Sequence, residues 1–157
     1  MNTPASSSQR QWLPEGDGPP RVIVCEHSGR WAVALGRQLG PSGPRVHQTR
    51  SLAECWEMLA GATASFVIVE ATRANLQTLL DRIAQSGRQF PLARVGVVAD
   101  RGLAAAEWVL REAGAVHFAV SPRRLGPLAQ VAHRHMAQVP RPKQTFTQQV
   151  WAELPWG

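Results

Sequence analysis

Polar and ionisable side chains directly follow two of the apolar runs in this sequence. Glu26 and His27 come after the run at residues 22–25, and Glu70 comes after the run at residues 66–69. Carboxylates and an imidazole are ligands for divalent metals, so these three residues are a candidate metal site. Polar residues also collect at strand ends without binding anything, and we favour that interpretation. We therefore predict neither a bound metal nor a cofactor.

The two cysteines, Cys25 and Cys55, are candidates for a nucleophile or for metal ligands. Neither belongs to a Cys-x-x-Cys pair or to a Cys/His spacing that would indicate a metal site. A thiol nucleophile also needs a base and a group that orients the base, and no such pattern accompanies Cys25. The sequence contains no glycine-rich phosphate loop of the form GxGxxG or GxxxxGKS. We predict that the chain is not an enzyme and that both cysteines are buried core residues.

The elements that position these residues alternate regularly along the chain. Short apolar runs, typical of buried parallel strands, are followed by segments with apolar residues on one helical face. The predicted strands are residues 22–25, 45–49, 66–69, 95–98 and 116–120. The predicted helices are residues 31–39, a segment capped by Ser51, and residues 74–86, 103–113 and 125–137. These units imply a doubly wound five-stranded parallel sheet in a three-layer α/β/α sandwich, whose strand order the periodicity does not reveal.

The last strand–helix unit carries a specific resemblance. Residues 112–122 read EAGAVHFAVSP, with an alanine-glycine-alanine before the strand and a proline after it. This segment resembles helix 4, strand 5 and the start of helix 5 in the receiver domain of response regulators. The resemblance extends over roughly residues 21–138, and it implies the flavodoxin-like fold of CheY-like proteins.

Receiver domains hold a magnesium ion with two acidic residues after strand 1, and they accept a phosphoryl group on an aspartate that ends strand 3. The resemblance places these functions on Glu26, His27 and Glu70 of this chain. A neutral imidazole at His27 is a poor replacement for a carboxylate around magnesium. Glu70 is one methylene longer than aspartate, which displaces its carboxylate from in-line attack.

The two remaining receiver functions are also altered. The serine or threonine that ends strand 4 corresponds to Ala99, or to Val98 if the register slips by one residue. The lysine that ends strand 5 corresponds to Ser121, before Pro122, and a serine lacks the positive charge that stabilises a transferring phosphoryl group. We therefore predict a degenerate pseudo-receiver that is not phosphorylated. A second possibility is that Glu70 mimics the phosphorylated state, although the usual readers of that charge are missing.

Two terminal segments flank the predicted domain at residues 21–139. Residues 1–20 are rich in Ser, Pro, Gly and Gln, and we predict a flexible arm there. Residues 140–157 form a tail whose large apolar residues are Phe146, Val150, Trp151, Leu154 and Trp156. The tail is predicted either to fold back on its own domain or to anchor in a groove of another protein, where aromatic residues dominate binding.

The leading functional prediction is a non-catalytic interaction or regulatory adaptor module. We expect a protein partner at the tail or at the face of helices 4 and 5, where the receiver resemblance implies self-association and Trp108 adds an apolar contact. The alternative is a signalling or transcription regulator that binds nucleic acid through arginines, because the formal charge is +6. The arginines are scattered rather than clustered, so nucleic acid is the less favoured partner.

The sequence also bears on location. It contains no apolar stretch of membrane-spanning length. Its N-terminus lacks the basic start and apolar core of a secretory signal. We predict a cytoplasmic protein without membrane association.

Overall fold

The computed structural model describes residues 18–140, and every structural statement below concerns that range. Most of the predicted N-terminal arm and all of the tail after Pro140 lie outside the described residues. The predicted interaction residues of the tail therefore remain sequence-based predictions: Phe146, Val150, Trp151, Leu154 and Trp156.

Strands and helices alternate along the described chain. The strands are β1 (Val22–Cys25), β2 (Val46–Thr49), β3 (Phe66–Ala71), β4 (Arg94–Ala99) and β5 (His117–Ala119). The helices are α1 (Arg30–Leu39), α2 (Leu52–Gly61), α3 (Leu76–Gln89), α4 (Glu107–Ala113) and α5 (Gly126–Gln138). Short 3₁₀ helices at Arg101–Ala106 and Pro122–Arg124 precede α4 and α5. This order confirms the predicted series of strand–helix units, and none of the described helices is long and apolar enough to cross a membrane.

The strands form one parallel sheet in the order β2-β1-β3-β4-β5. The direction of the strand order reverses between β1 and β3, because the chain first moves outward from β1 to β2 and then crosses back to β3. At such a switch point the connections after the two central strands diverge and open a crevice at their carboxyl ends. Glu26 follows β1 and Glu70 lies near the end of β3, so both residues are at this crevice.

Helices cover both faces of the sheet, as the three-layer prediction requires. Val22 and Val24 of β1 pack in the core layer beneath α1 and α5. Ile23 and Cys25 point the other way and pack with α2, α3 and α4. Because both faces of the central strands are buried, β1 and most of β3 are continuously apolar, whereas the edge strand β2 carries His47 and Gln48 and is only partly buried. Cys25 and Cys55 are free thiols in the second layer, which confirms their predicted place in the core.

Helix α2 begins where its sequence predicts. The Ser51 hydroxyl accepts a hydrogen bond from the Glu54 backbone N–H at 3.1 Å. The Glu54 carboxylate accepts in turn from the Arg50 backbone N–H at 2.9 Å, one residue before the usual target in a capping box. Arg50 also donates a side-chain hydrogen bond to the His27 carbonyl. These bonds tie the connection between β2 and α2 to the end of β1.

Two helices differ from the prediction by more than one residue at a boundary. The segment predicted as one helix at residues 103–113 divides into the 3₁₀ helix and α4. No side chain caps the 3₁₀ helix, because the Asp100 carboxylate before it binds Arg30 instead. The helix predicted at residues 74–86 runs from Leu76 to Gln89, and Gly87, which follows the predicted end, has no left-handed conformation that would terminate it.

Candidate functional site

The carboxylate of Glu26 is built into the start of α1. Its Oε2 atom accepts from the Trp31 backbone N–H at 2.9 Å, and its Oε1 atom accepts from the Ala32 backbone N–H at 2.7 Å. Gly29 precedes the helix with φ +83 and supplies no side-chain cap. Glu26 is only 1% exposed. Its carboxylate accepts from backbone amides that have no partner within the helix, and it lies at the positive end of the helix dipole. Both oxygens of Glu26 are therefore engaged by the chain itself.

The carboxylate of Glu70 receives three donors. Oε1 accepts from the Trp31 indole Nε1 at 3.0 Å and from Arg30 Nη2 at 3.2 Å. Oε2 accepts from the His27 backbone N–H at 3.2 Å. Glu70 itself is 8% exposed. Both oxygens of the carboxylate that the resemblance places at the phosphorylation position thus accept hydrogen bonds from the chain.

Arg30 links the carboxyl ends of β3 and β4. Besides its contact with Glu70, its Nη2 atom donates to Asp100 Oδ1 at 2.6 Å. The guanidinium carbon lies 5.0 Å from the centroid of the Trp31 ring, within the range of a cation–π contact. The pKa of Arg30 is raised, chiefly by the hydrogen bond to Asp100 and further by Glu70. We call Arg30 the resident cation of the crevice.

The two ion pairs of the resident cation differ in strength. The Asp100 side chain is 75% exposed, and solvent screening limits such a pair to about 0–1 kcal/mol. The Glu70 side chain is 9% exposed and the Arg30 side chain 42%. A carboxylate this buried loses more when its cation is removed, because it cannot recover the lost interaction from water. The pair with Glu70 is therefore the structurally important one.

The residues of the crevice do not fit the magnesium ion of a receiver domain. Glu26 is buried against α1, and the residue after it, His27, is exposed. A divalent ion beside Glu70 would also meet the positive charge of Arg30. Among residues 18–140, no group of three His, Cys, Asp or Glu side chains is placed to hold a metal. Glu26, His27 and Glu70 therefore do not form a metal site in this structure.

Ala99 is the last residue of β4 and is completely buried. It lies in register with Ala71 at the end of β3. The edge of the sheet beside Glu70 therefore presents a methyl group, and no hydroxyl is available there to sense a phosphate. Strand β4 ends at Ala99, and Val98 is the residue in register with Glu70, so neither of the two proposed positions carries a hydroxyl.

Ser121 and Pro122 form the connection between β5 and α5. The Ser121 hydroxyl accepts a hydrogen bond from the Arg123 backbone N–H at 3.3 Å and caps the 3₁₀ helix that Pro122 begins. The hydroxyl at the position of the receiver lysine thus has a local structural partner. A neutral side chain there provides no charge for a phosphoryl group.

The two cysteines lie in the same core layer. The neighbouring Cys25 thiol and burial together raise the pKa of the Cys55 thiol, while the Cys55 thiol lowers the pKa of Cys25. Cys55 is fully buried and Cys25 is 5% exposed. A nucleophile must reach solvent or substrate, and neither thiol does. Their placement gives no support to a thiol enzyme.

Three residues of this network escape sequence reasoning: Arg30, Trp31 and Asp100. The sequence contains a signal that could have identified Asp100 as a crevice residue. Asp100 directly follows a predicted strand, and in the structure that strand lies next to the strand that carries Glu70. Arg30 carries none, since its position after a turn at the start of a helix is also typical of a solvated side chain. The contact between Arg30 and Asp100 joins residues 70 positions apart, and no local pattern encodes it.

Helix α4 presents an exposed aromatic residue. Trp108 is 72% exposed, whereas Leu110 in the same helix is fully buried. The helix therefore turns Leu110 toward the sheet and Trp108 away from it. An exposed tryptophan is a favourable anchor for protein contacts.

Comparison with known proteins gives structural matches alone. No protein-family model and no curated protein matches the chain. A response regulator from Thermotoga maritima has a TM-score of 0.60 at 22% identity, over 77% of this chain and 100% of its own. An orphan response regulator of H. pylori has a TM-score of 0.58 at 18% identity, over 74% of this chain and 96% of its own. A CheY-like protein, TadZ, from Pseudomonas aeruginosa has a TM-score of 0.57 at 17% identity, over 78% of this chain and 98% of its own.

These matches define the class of fold. The chain has the α/β flavodoxin-like fold of response-regulator receiver domains, with a five-stranded parallel sheet between two helical layers. The sequence resemblance to a receiver domain is thereby confirmed at the level of the fold. Function has to be argued from the crevice and the surface of this chain itself.

Proposed function

We propose that this chain is a pseudo-receiver: a non-catalytic protein-interaction or regulatory adaptor module that works independently of phosphorylation. The observation that carries the proposal is the resident cation. Arg30 contacts Glu70 and Asp100 at the crevice, where a receiver would place a divalent metal and a phosphoryl group. The signalling fold is retained while the chemistry of the crevice is replaced by internal ion pairs.

Electrostatics supports this proposal. A divalent ion placed about 4 Å from the Arg30 guanidinium would be repelled by on the order of 8 kcal/mol at an effective dielectric constant of about 20. The guanidinium would have to leave Glu70 and Asp100 before such an ion could bind. Phosphoryl transfer to Glu70 would further require an oxygen free to attack, and both oxygens of Glu70 accept hydrogen bonds.

The surface of α4 supports the adaptor part of the proposal. Trp108 stands out from this helix at 72% exposure. A protein whose crevice is occupied by its own ion pairs can still act by presenting a surface to a partner. The resemblance to receivers favours this face for self-association, and the tail at residues 141–157 is a second candidate contact.

Phosphorylation is tested with acetyl phosphate and magnesium, followed by intact mass measurement. We expect no adduct on the wild-type chain, while an active response regulator in a parallel reaction acquires one. A stoichiometric phosphate adduct that disappears in Glu70→Gln would refute the pseudo-receiver proposal.

The interaction surface is tested separately by sedimentation velocity. We expect Trp108→Glu to weaken a dimer or a captured complex, whereas Val33→Glu, an exposed apolar residue on α1, serves as the matched control. If both variants fold and associate as the wild type does, the α4 surface is not the contact site.

A further inference from the structure

A second surface feature of the molecule lies beside α1. A cleft of about 790 Å³ is formed between α1 and the 3₁₀ helix Pro122–Arg124. Arg37 and Gln38 of α1 line it on one side, Arg123 lines it on the other, and Gln48 of β2 also contributes. A volume of this size is typical of small-molecule sites.

The charges around this cleft are not balanced within residues 18–140. None of the residues in this range that line the cleft is acidic. Arg30, which reaches its edge, is neutralised by Glu70 and Asp100. The side chains of Arg37 and Arg123 make no hydrogen bond or ion pair with any residue in the range 18–140. Two unpaired guanidinium groups from separate elements therefore face one cleft.

The other residues that line the cleft can contact the uncharged part of a ligand. Gln38 and Gln48 bring amide groups that donate and accept hydrogen bonds. Val33 is 54% exposed and Pro122 lies opposite, so the cleft also offers apolar contact. In the part of the chain that the structure describes, no aromatic side chain lines the cleft, and these residues offer no platform for stacking a nucleobase.

We propose that this cleft binds a small molecule with at least two oxyanion groups, either phosphates or carboxylates. Arg37 and Arg123 each pair with one group, because the guanidinium fork matches the geometry of phosphate and carboxylate oxygens. The glutamine amides and Val33 contact the atoms between the two groups. Ligand binding at this cleft goes beyond the proposed adaptor function and does not depend on it.

The full chain is titrated by calorimetry with pyrophosphate and with citrate at constant physiological ionic strength. These two probes distinguish a phosphate ligand from a carboxylate ligand. We expect at least one of them to bind with a dissociation constant below about 1 mM and to raise the melting temperature with concentration. Because no aromatic residue among residues 18–140 lines the cleft, ATP should bind no more tightly than inorganic triphosphate.

Two substitutions and a matched control locate the site. Arg37→Gln and Arg123→Gln should each weaken binding by about tenfold or more, as expected for loss of a charged hydrogen bond. Arg124→Gln removes the same charge from the neighbouring exposed position, which does not line the cleft, and should leave binding nearly unchanged. In the wild type, amide signals of residues 33–38 and 122–124 should shift on titration, which tests the location without any variant.

Several results would overturn the proposal. One is the absence of binding by either probe at millimolar concentration. Another is an equal loss in Arg124→Gln and Arg123→Gln, since that would indicate general attraction to a basic surface. A third is tight binding of duplex DNA that neither pyrophosphate nor citrate displaces, which would favour the nucleic-acid function instead.

Discussion

The indole of Trp31 donates to Oε1 of Glu70 across 3.0 Å, so a helix residue is bonded to the carboxylate at the end of a neighbouring strand. Trp31 is 1% exposed, and its indole ring also lies beside the guanidinium of Arg30. Two consecutive residues of α1 therefore hold Glu70 in place. The local stability of the crevice should depend on each of them.

Trp31→Phe removes the indole donor and some of the buried ring volume. We expect it to lower the free energy of unfolding by about 2–3 kcal/mol, because Glu70 loses a bond and the core loses contact area. Urea unfolding measures the change. Trp108→Phe is the matched control at an exposed position, and it should stay within about 0.5 kcal/mol of the wild type. Equal effects of the two substitutions would contradict this account.

Glu26→Ala should destabilise the domain through the start of α1. It leaves the backbone N–H groups of Trp31 and Ala32 without their buried acceptor, and we expect a loss of about 2–4 kcal/mol. Glu57→Ala, an exposed glutamate of α2, serves as the control. If Glu26→Ala is as stable as that control, water replaces the carboxylate without cost and Glu26 is not a structural cap.

Replacing Arg30 by methionine should create a weak metal site. Methionine keeps much of the apolar side chain and removes the charge that repels a divalent ion from Glu70 and Asp100. We expect binding of Mn²⁺, followed by electron paramagnetic resonance, to strengthen by about tenfold or more over the wild type. The double variant Arg30→Met/Glu70→Gln should lose this gain. Equal Mn²⁺ binding by the wild type and Arg30→Met would show that Arg30 does not exclude the ion.

His135 should make the domain less stable in mild acid. Burial lowers the pKa of its imidazole, although the hydrogen bond to the Ala64 carbonyl at 2.8 Å opposes part of that shift. Because the unfolded chain then binds the proton more tightly, stability is fully present above the unfolded pKa of about 6.5 and falls as the pH drops below it. His135→Gln should reduce this slope in urea unfolding between about pH 8 and pH 5.

A residual slope is expected in that variant. Burial also lowers the pKa values of His47 and His117, so these residues act in the same direction. An unchanged slope in His135→Gln would mean that these two histidines carry the whole effect and that His135 carries none.

Deleting residues 141–157 distinguishes the two predicted roles of the tail. If the tail folds back on the domain, its loss should lower the melting temperature, because burial of one tryptophan is worth roughly 3 kcal/mol. If the tail binds a partner, the melting temperature should stay nearly constant while partner capture or self-association is lost. A truncated chain that matches the full chain in stability, solubility and association would leave the tail without either role.

The sequence predicts the architecture because β1, β3 and β4 are almost fully buried and read as largely apolar runs. It also places Glu26 and Glu70 at the crevice, since the carboxyl ends of adjacent parallel strands meet at one edge of the sheet. It does not predict what these carboxylates bind. The strand-end pattern favours carboxylates that bind nothing, whereas the structure supplies the Trp31 amide to Glu26 and the Arg30 guanidinium to Glu70. Both partners come from α1, whose rotation about its axis is fixed by core packing rather than by local sequence.

The three bonds at Glu70 make a receiver-type phosphorylation site difficult to acquire at this position. Glu70→Asp would introduce the acceptor residue of a receiver, but its shorter side chain would withdraw the carboxylate from Trp31, Arg30 and the His27 amide together. Removal of Arg30 first would leave Glu70 short of a cation. Each single step toward such a site therefore passes through a less stable protein, so descendants of this chain would be expected to keep the internal ion pairs and to vary at the surface instead.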